Sequence, residues 1–344
     1  MDSAQVTLAV LWIGLTLYAL FAGADFGAGL WDLLAGRSVP GMPQRRLVEH
    51  AIGPVWEANH VWLIFVLVVL WTGFPPVFAA VMSTLYIPLT LAALGVIARG
   101  AAFAFRKAAL ELWQRRLFGA AFALSSVLTP FFLGTAAGAV ASGRVPPGLA
   151  RGDLLGSWLS PTGVLGGLLA VGTCAYLAAV YLCDDAVRAR SPALAAGFRR
   201  RALVTALVTG LIALGGVGVL RFDAPGLYAG LTGRALPLVA LSAVAGLAAI
   251  ALLWRRRFLP ARVASALAVT AILWGWAVAQ YPLMLPPALD YRAAAAHPAV
   301  LVTVLVCLGV GALLVLPSLA WLYVFQHRGP HGGHEGHDGH DAAG

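Results

Sequence analysis

The sequence predicts an all-α polytopic membrane protein with about nine transmembrane helices. Of its 344 residues, 60% are hydrophobic and 11% are charged, and the mean hydropathy is +0.86. A soluble domain carries about 25% charged residues, so a soluble enzyme and a disordered protein are both excluded. The apolar runs are continuous and do not alternate with period two, which excludes a β-barrel.

Each predicted span is an apolar run close to the roughly 20 residues that cross a bilayer. The first run follows a terminus without the basic region of a signal peptide and is too long for a cleaved one, so we interpret it as a membrane helix. The nine runs are Val6–Leu34, Val55–Trp71, Val77–Phe105, Leu117–Ala141, Thr162–Leu182, Ala202–Leu220, Leu236–Trp254, Val263–Ala279 and Val300–Phe325.

The Lys and Arg residues predict the orientation. Of the 23, 18 lie in the loops after odd-numbered spans and in the C-terminal tail, and 5 lie on the other side. Because basic residues are retained in the cytoplasm, we expect the N-terminus outside and the C-terminus inside. This distribution argues against a nucleic-acid partner. Residues 1–326 form the predicted membrane domain and residues 327–344 a disordered cytoplasmic tail rich in His. The rhythm of basic loops hints at a four-plus-four duplication with a ninth helix added.

Polar residues inside apolar helices are the candidates for chemistry, because ionised groups there are costly and are usually paired or functional. Asp25 lies among glycines about 28 Å along the first helix from Val6. The second helix starts at the inner face, which places Glu57 at a similar depth. His60 is three residues later and shares its helix face, with Asn59 beside it.

These residues are expected to form one buried polar cluster facing the cytoplasm, within reach of Arg99 near the end of the third helix. Carboxylate and imidazole chains in membranes typically relay protons. The alternatives are structural. Glu57 suits the positive end of a helix, Asp25 and Arg99 would make an ion pair, and His60 would be an ordinary interior histidine. Flanking residues with structural or pairing roles are Trp56, Trp62 and Arg106.

Two further sites are weaker candidates. Gln280 and Tyr281 follow two tryptophans near the outer face, where an interfacial aromatic belt is the favoured interpretation and a quinone contact the alternative. Four histidines of the tail are able to bind Zn²⁺, Ni²⁺ or Cu²⁺, although their loose Gly-rich spacing favours adventitious binding. They are His331, His334, His337 and His340.

Motifs for bound cofactors are missing from the sequence. It has no P-loop, no CxxCH for covalent haem and no CxxC, and its three cysteines imply no disulfide framework. His60 is the only histidine well inside a predicted span, whereas several haems would need more buried axial ligands. If the function is redox, the cofactors are expected on a partner.

At these motifs the chain resembles subunit II of the cytochrome bd-type quinol oxidases, including the cyanide-insensitive branch. The resemblance extends to about Phe325, and the helix-two segment is its most specific part. The matching segments are Gly23–Gly27, Gly53–Leu63, Arg99–Arg106, Ala279–Pro282 and Pro317.

The resemblance implies two four-helix bundles plus a peripheral ninth helix, in a heterodimer with subunit I in the bacterial inner membrane. Subunit I would carry two b haems, haem d and the quinol-oxidising loop, and the complex would oxidise quinol and reduce O₂ to water. This chain would be a haem-free scaffold that contributes to a proton path, where the family often has Asp in place of Glu57. Small accessory subunits occur in some members, and the His-rich tail lies outside the family pattern.

Two other functions stay open from the residues. A secondary transporter or channel would use Asp25 and Glu57 as coupling-ion ligands. Paired Gly/Pro interruptions of its helices would favour that function, and the sequence offers no convincing pair. The third alternative is a structural subunit without a proton role.

Overall fold

A computed structural model describes residues 2–35, 41–52, 56–106 and 111–328. Nearly all of them are helical, and one two-stranded antiparallel hairpin precedes the last two helices. The helices are α1 (Ser3–Leu34), α2 (Met42–Ile52), α3 (Trp56–Gly73), α4 (Pro75–Thr84), α5 (Tyr86–Arg106), α6 (Leu112–Ala141), α7 (Pro161–Arg188), α8 (Pro192–Asp223), α9 (Pro225–Thr232), α10 (Leu236–Trp254), α11 (Phe258–Gln280), α12 (Tyr291–Ala294) and α13 (Pro298–Arg328); the strands are β1 (Leu283–Leu285) and β2 (Leu289–Asp290).

Within the described residues, seven helices are long and apolar enough to cross a membrane, or eight if the bent pair α3 and α4 is one span. The seven include α1. A shorter apolar helix, Tyr86–Ala102, lies within α5. The polytopic helical class is therefore confirmed, and the count of nine spans stays a prediction.

The predicted third span, Val77–Phe105, is wrong as a single helix. Its residues belong to α4 and α5, which are separated at Leu85. The axis of α4 is bent by 120° from that of α3. Prolines explain the breaks: Pro75 disfavours a helical Phe74, and Pro88 has no N–H to bond the carbonyl of Thr84.

The break after α3 recurs after α8, and the sequence analysis did not identify this pair. Phe74 has φ −136° and ψ 61°, and Ala224 has φ −140° and ψ 61°, each directly before a proline. An internal duplication would produce such a recurrence. Both breaks follow a helix of 18 residues or more, at least about 27 Å long, so they lie at helix ends. Transporters unwind their helices near the midplane instead.

Small residues bring the central helices close together. A Cβ atom on Gly27 of α1 would lie 1.8 Å from the carbonyl oxygen of Cys174 in α7, and one on Gly134 of α6 would lie 2.4 Å from the carbonyl oxygen of Gly166 in α7. Such contacts are typical of helices packed inside membranes. They place one face of α1 against α7. The neighbouring face of α1 packs against α3, α5 and α6, and this face carries the polar residues described next.

Candidate functional site

The centre of the polar cluster is an ion pair between Asp25 of α1 and Arg99 of α5. Nη2 of Arg99 lies 2.8 Å from Oδ1 of Asp25 and also donates to the backbone oxygen of Asp25 at 2.8 Å. The side chain of Asp25 is only 2% exposed, and that of Arg99 only 1%. Nη1 of Arg99 donates to Oγ of Ser126 in α6. Arg99 therefore joins three helices through one guanidinium group.

Aromatic rings and a glycine shape the space around Arg99. Its guanidinium carbon lies 5.2 Å from the ring centre of Phe26 and 4.4 Å from that of Phe122, within the range of cation–π attraction. A Cβ atom on Gly29 would lie 2.5 Å from Nη1 of Arg99 and 2.1 Å from Oγ of Ser126. Only glycine fits at this position of α1 while the charged group stays in place.

His60 approaches the same carboxylate from α3. Its Nε2 lies 4.0 Å from Oδ2 of Asp25, and its ring packs edge-on against Phe26 at 5.6 Å. Among the described residues, Oδ2 of Asp25 and both ring nitrogens of His60 are buried without a hydrogen-bond partner. Asn59, next to His60, is also buried. Asp25 therefore has one oxygen held by a fixed cation and the other facing a group that can carry a proton.

The cluster is connected to the basic end of the helices through α1 itself. Asp32 lies two turns beyond Asp25, about 10 Å along the helix, is largely buried and faces Nε of Arg45 in α2 at 3.9 Å. Nε2 of Gln44 in α2 donates to the backbone oxygen of Trp31 at 2.7 Å. The short helix α2, which the sequence analysis treated as loop, thus covers the basic end of the polar cluster.

The sequence analysis missed three residues of this cluster. Ser126 and Phe122 contact Arg99 from α6. Tyr18 of α1 belongs to the same hydrophobic cluster as Phe26. The Ser125–Ser126 pair inside an apolar helix was the available signal for α6. Tyr18 precedes Asp25 by seven residues, so the same helix face carries both.

Several predicted site residues lie outside the described part of the chain or away from the cluster. The side chains of Glu57, Trp56 and Arg106 are not among those described, although α3 includes positions 56 and 57. The four tail histidines also lie outside the described residues. Trp62 packs edge-on against Phe65, with 5.9 Å between ring centres, at the border of the Tyr18 and Phe26 cluster.

Gln280 and Tyr281 lie where α11 meets the hairpin. Oε1 of Gln280 accepts a hydrogen bond from Nε1 of Trp276 at 2.8 Å, and its Nε2 donates to the backbone oxygen of Met284 at 2.9 Å. The Tyr281 ring stacks on Tyr291 at 5.5 Å and is 39% exposed. Gln280 is therefore engaged in anchoring the hairpin, and Tyr281 alone of the two faces outwards.

Comparison with known proteins now gives the family. A family model described as cytochrome bd terminal oxidase subunit II matches residues 3–326. The chain belongs to this family. Subunit 2 of the cytochrome bd ubiquinol oxidase of Bacillus subtilis is 32% identical over 129 residues, which cover 38% of this chain and 36% of that one. Subunit 2 of the cytochrome bd-I ubiquinol oxidase of Escherichia coli is 31% identical over 179 residues, covering 50% and 45%.

These alignments span less than half of the length of either relative. A structural match extends further. The chain superimposes on a chain of the bd oxidase of Geobacillus thermodenitrificans with a TM-score of 0.72, covering 95% of this chain and 99% of that one at 24% identity. The two chains thus share one fold over nearly their whole lengths. With its apolar helices, this chain is a multi-pass protein of the bacterial inner membrane.

Proposed function

We propose that this chain is the haem-free subunit II of a cytochrome bd-type quinol:O₂ oxidoreductase. In this proposal it supports a haem-bearing subunit I, with haem b, haem d and quinol on that partner, and it carries protons inward from the cytoplasm. The path would involve Glu57, Asp25, His60 and Asn59. The observation that supports it best is the Asp25 carboxylate, buried between the fixed Arg99 cation and the His60 ring.

The geometry gives each side chain a distinct task. Arg99 compensates the charge of Asp25 and holds its Oδ1 atom. A buried carboxylate needs such a cation to be stable. Oδ2 is left for proton exchange with His60. Their 4.0 Å separation exceeds a hydrogen bond of about 2.7–3.2 Å, so exchange requires a small rotation of the imidazole. Glu57 lies one turn before His60 in the sequence of α3, and its carboxyl group has the chemistry to pass protons on towards the basic end of α3.

The orientation is part of the proposal. Eighteen of the 23 Lys and Arg residues lie on one side of the predicted spans, and the positive-inside tendency assigns that side to the cytoplasm. Asp184 at this end of α7 pairs with Arg188 at 2.8 Å and lies 3.7 Å from Arg262. The polar cluster lies nearer this end of α1, so protons would enter from the cytoplasm. A small accessory subunit and a quinone contact at Tyr281 stay predictions.

Glu57→Gln tests the proton path. The amide keeps the shape of the side chain and cannot ionise, so a relay through it is blocked. We expect oxygen consumption per haem in membranes to fall at least ~10-fold, equivalent to about 1.4 kcal/mol in the barrier, with the haem spectrum unchanged. Glu57→Asp should lower turnover only mildly, because the carboxylate is retained.

Glu335→Gln is the matched control, since it removes one carboxylate from the tail beyond the family match. It should leave turnover unchanged. Near-normal turnover per haem in Glu57→Gln would remove Glu57 from the path and favour a structural subunit without a proton role.

The second expected result concerns haem. The surroundings of His60 support a chain without a haem ligand at this position, since its ring packs against Phe26 and its Nε2 faces Asp25 at 4.0 Å. The chain expressed without partners and purified should therefore show no Soret band. A stoichiometric haem that disappears in His60→Ala would overturn the proposal, because it would place redox chemistry on this chain.

A further inference from the structure

A cavity of about 330 Å³ lies at the basic end of the molecule, away from the polar cluster. It is formed where α7 ends, α8 begins and the turn between α10 and α11 passes. Three arginines line it, together with apolar side chains that include Ala195 and Phe258. The arginines are Arg190, Arg199 and Arg256.

These three arginines have no anionic partner within the described part of the chain. None of the described residues that line the cavity is acidic, and no described ion pair involves the three. Nε of Arg199 is buried and has no hydrogen-bond partner there. The nearby Asp184 is already shared by Arg188 and Arg262. The cavity therefore concentrates positive charge that no acidic side chain in the described part of the chain neutralises.

The backbone adds to this charge. Ser191 is the N-cap of the 32-residue helix α8, and its side chain caps no backbone N–H group. The N-terminus of a long helix attracts anions because its first N–H groups point outwards and the helix dipole is positive there. Ser191 also lines the cavity. Guanidinium groups and a helix start are the groups that bind phosphate in proteins.

The surroundings specify an amphiphilic ligand. Trp254, at the end of α10, is 70% exposed and lies 6.0 Å from the Arg199 guanidinium, and Val187, which lines the cavity, is 49% exposed. Exposed tryptophan marks the level of lipid headgroups. From there the exposed apolar side chains Val204 and Leu207 continue along α8. An anionic head in the cavity would thus have acyl chains against a lipid-facing helix.

We propose that this cavity binds the phosphate of an anionic glycerophospholipid, with its acyl chains along α8. Basic recesses between transmembrane helices on the cytoplasmic side recognise such headgroups. The site is independent of the proton path and of any haem on a partner.

Binding of phosphatidylglycerol to the intact purified complex, measured by native mass spectrometry in detergent, tests the proposal. The cavity variant is Arg190→Gln/Arg199→Gln/Arg256→Gln. The control is Arg200→Gln/Arg255→Gln/Arg257→Gln, which removes the same charge at the same end without touching the cavity. We expect the cavity variant to bind phosphatidylglycerol at least ~10-fold more weakly, and the control to bind within about twofold of the unmodified complex.

Three further arms decide the outcome. Phosphatidylcholine should bind far more weakly than phosphatidylglycerol, and inorganic phosphate should not compete at equal concentration. Competition by phosphate would mean a free-phosphate site and overturn the lipid assignment. Equal losses of phosphatidylglycerol binding in both triple variants would also overturn it. So would an intact complex that binds no phosphatidylglycerol because a neighbouring subunit fills the cavity. If the triple variant does not assemble, Arg256→Gln on the exposed turn after α10 should still weaken binding severalfold, and unchanged binding there would refute the site.

Discussion

Arg99→Gln will destabilise the protein by about 3–5 kcal/mol, whereas adding Asp25→Asn to it will recover most of that loss. The single change leaves a buried carboxylate without its cation, in a place where both side chains are at most 2% exposed. The double variant has no charge at this buried site, and its two amides are able to pair by hydrogen bonds. Replacing a whole buried ion pair is often nearly neutral for stability. The measurement is the free energy of unfolding of the detergent-solubilised protein.

The control is Arg188→Gln, which breaks an ion pair of the same 2.8 Å length in which Arg188 is 53% exposed. An exposed pair contributes at most about 1 kcal/mol, so this variant should remain close to the unmodified protein. Equal losses for Arg99→Gln and Arg188→Gln would contradict the burial of the Asp25 pair.

The double variant also separates the two roles of Asp25. If Asp25 only holds helices together, turnover per haem should return with stability. If it relays protons, the double variant should assemble with a normal haem spectrum and still turn over slowly, because the carboxylate that faces Nε2 of His60 is gone. Recovery of both properties would restrict Asp25 to a structural role.

The composition of this cluster was only partly predictable. Helix length and direction placed Asp25, His60 and Arg99 at one depth, because the rise per residue is fixed. Which face of α6 meets them was not predictable. A helix that is apolar all round has no stripe to mark its buried side, so Ser126 and Phe122 stood out only in the folded protein.

The same limitation applies to the fold. Hydropathy located the membrane runs, but averaging across Leu85 merged α4 with α5 into one span. Pro88, three residues after the break, carried the missing signal. The helix α2 was missed because Arg45, Arg46 and Glu49 make it polar, as a loop would be. A covering helix of this kind is amphipathic and becomes stable only when packed.

Gly27→Ala is expected to destabilise the protein by about 3 kcal/mol or more, a large effect for a single methyl group. The new Cβ atom would lie 1.8 Å from the backbone oxygen of Cys174 and 2.4 Å from its carbonyl carbon. Both atoms belong to the backbone of α7, so no side-chain rotation relieves the overlap. The helices α1 and α7 must separate.

That separation would strain contacts on both sides of Gly27. The indole Nε1 of Trp31 donates to the backbone oxygen of Ala175 at 2.9 Å, one turn along the same interface. Asp25, two residues before Gly27, is held to Arg99 from the other face of α1. Moving α1 away from α7 therefore breaks a buried hydrogen bond or displaces the ion pair, and assembly in the membrane should fall together with stability.

Gly215→Ala in α8 is the matched control, because a Cβ atom there meets nothing within 4 Å. Alanine favours a helix over glycine by about 1 kcal/mol, so this variant should be neutral or slightly stabilised. The thermal unfolding midpoint of each purified variant, and its yield in membranes, are the measurements. If Gly27→Ala and Gly215→Ala have the same unfolding midpoint, then α1 and α7 are not in backbone contact at position 27. Glycine is then not required where α1 presents Asp25 to Arg99.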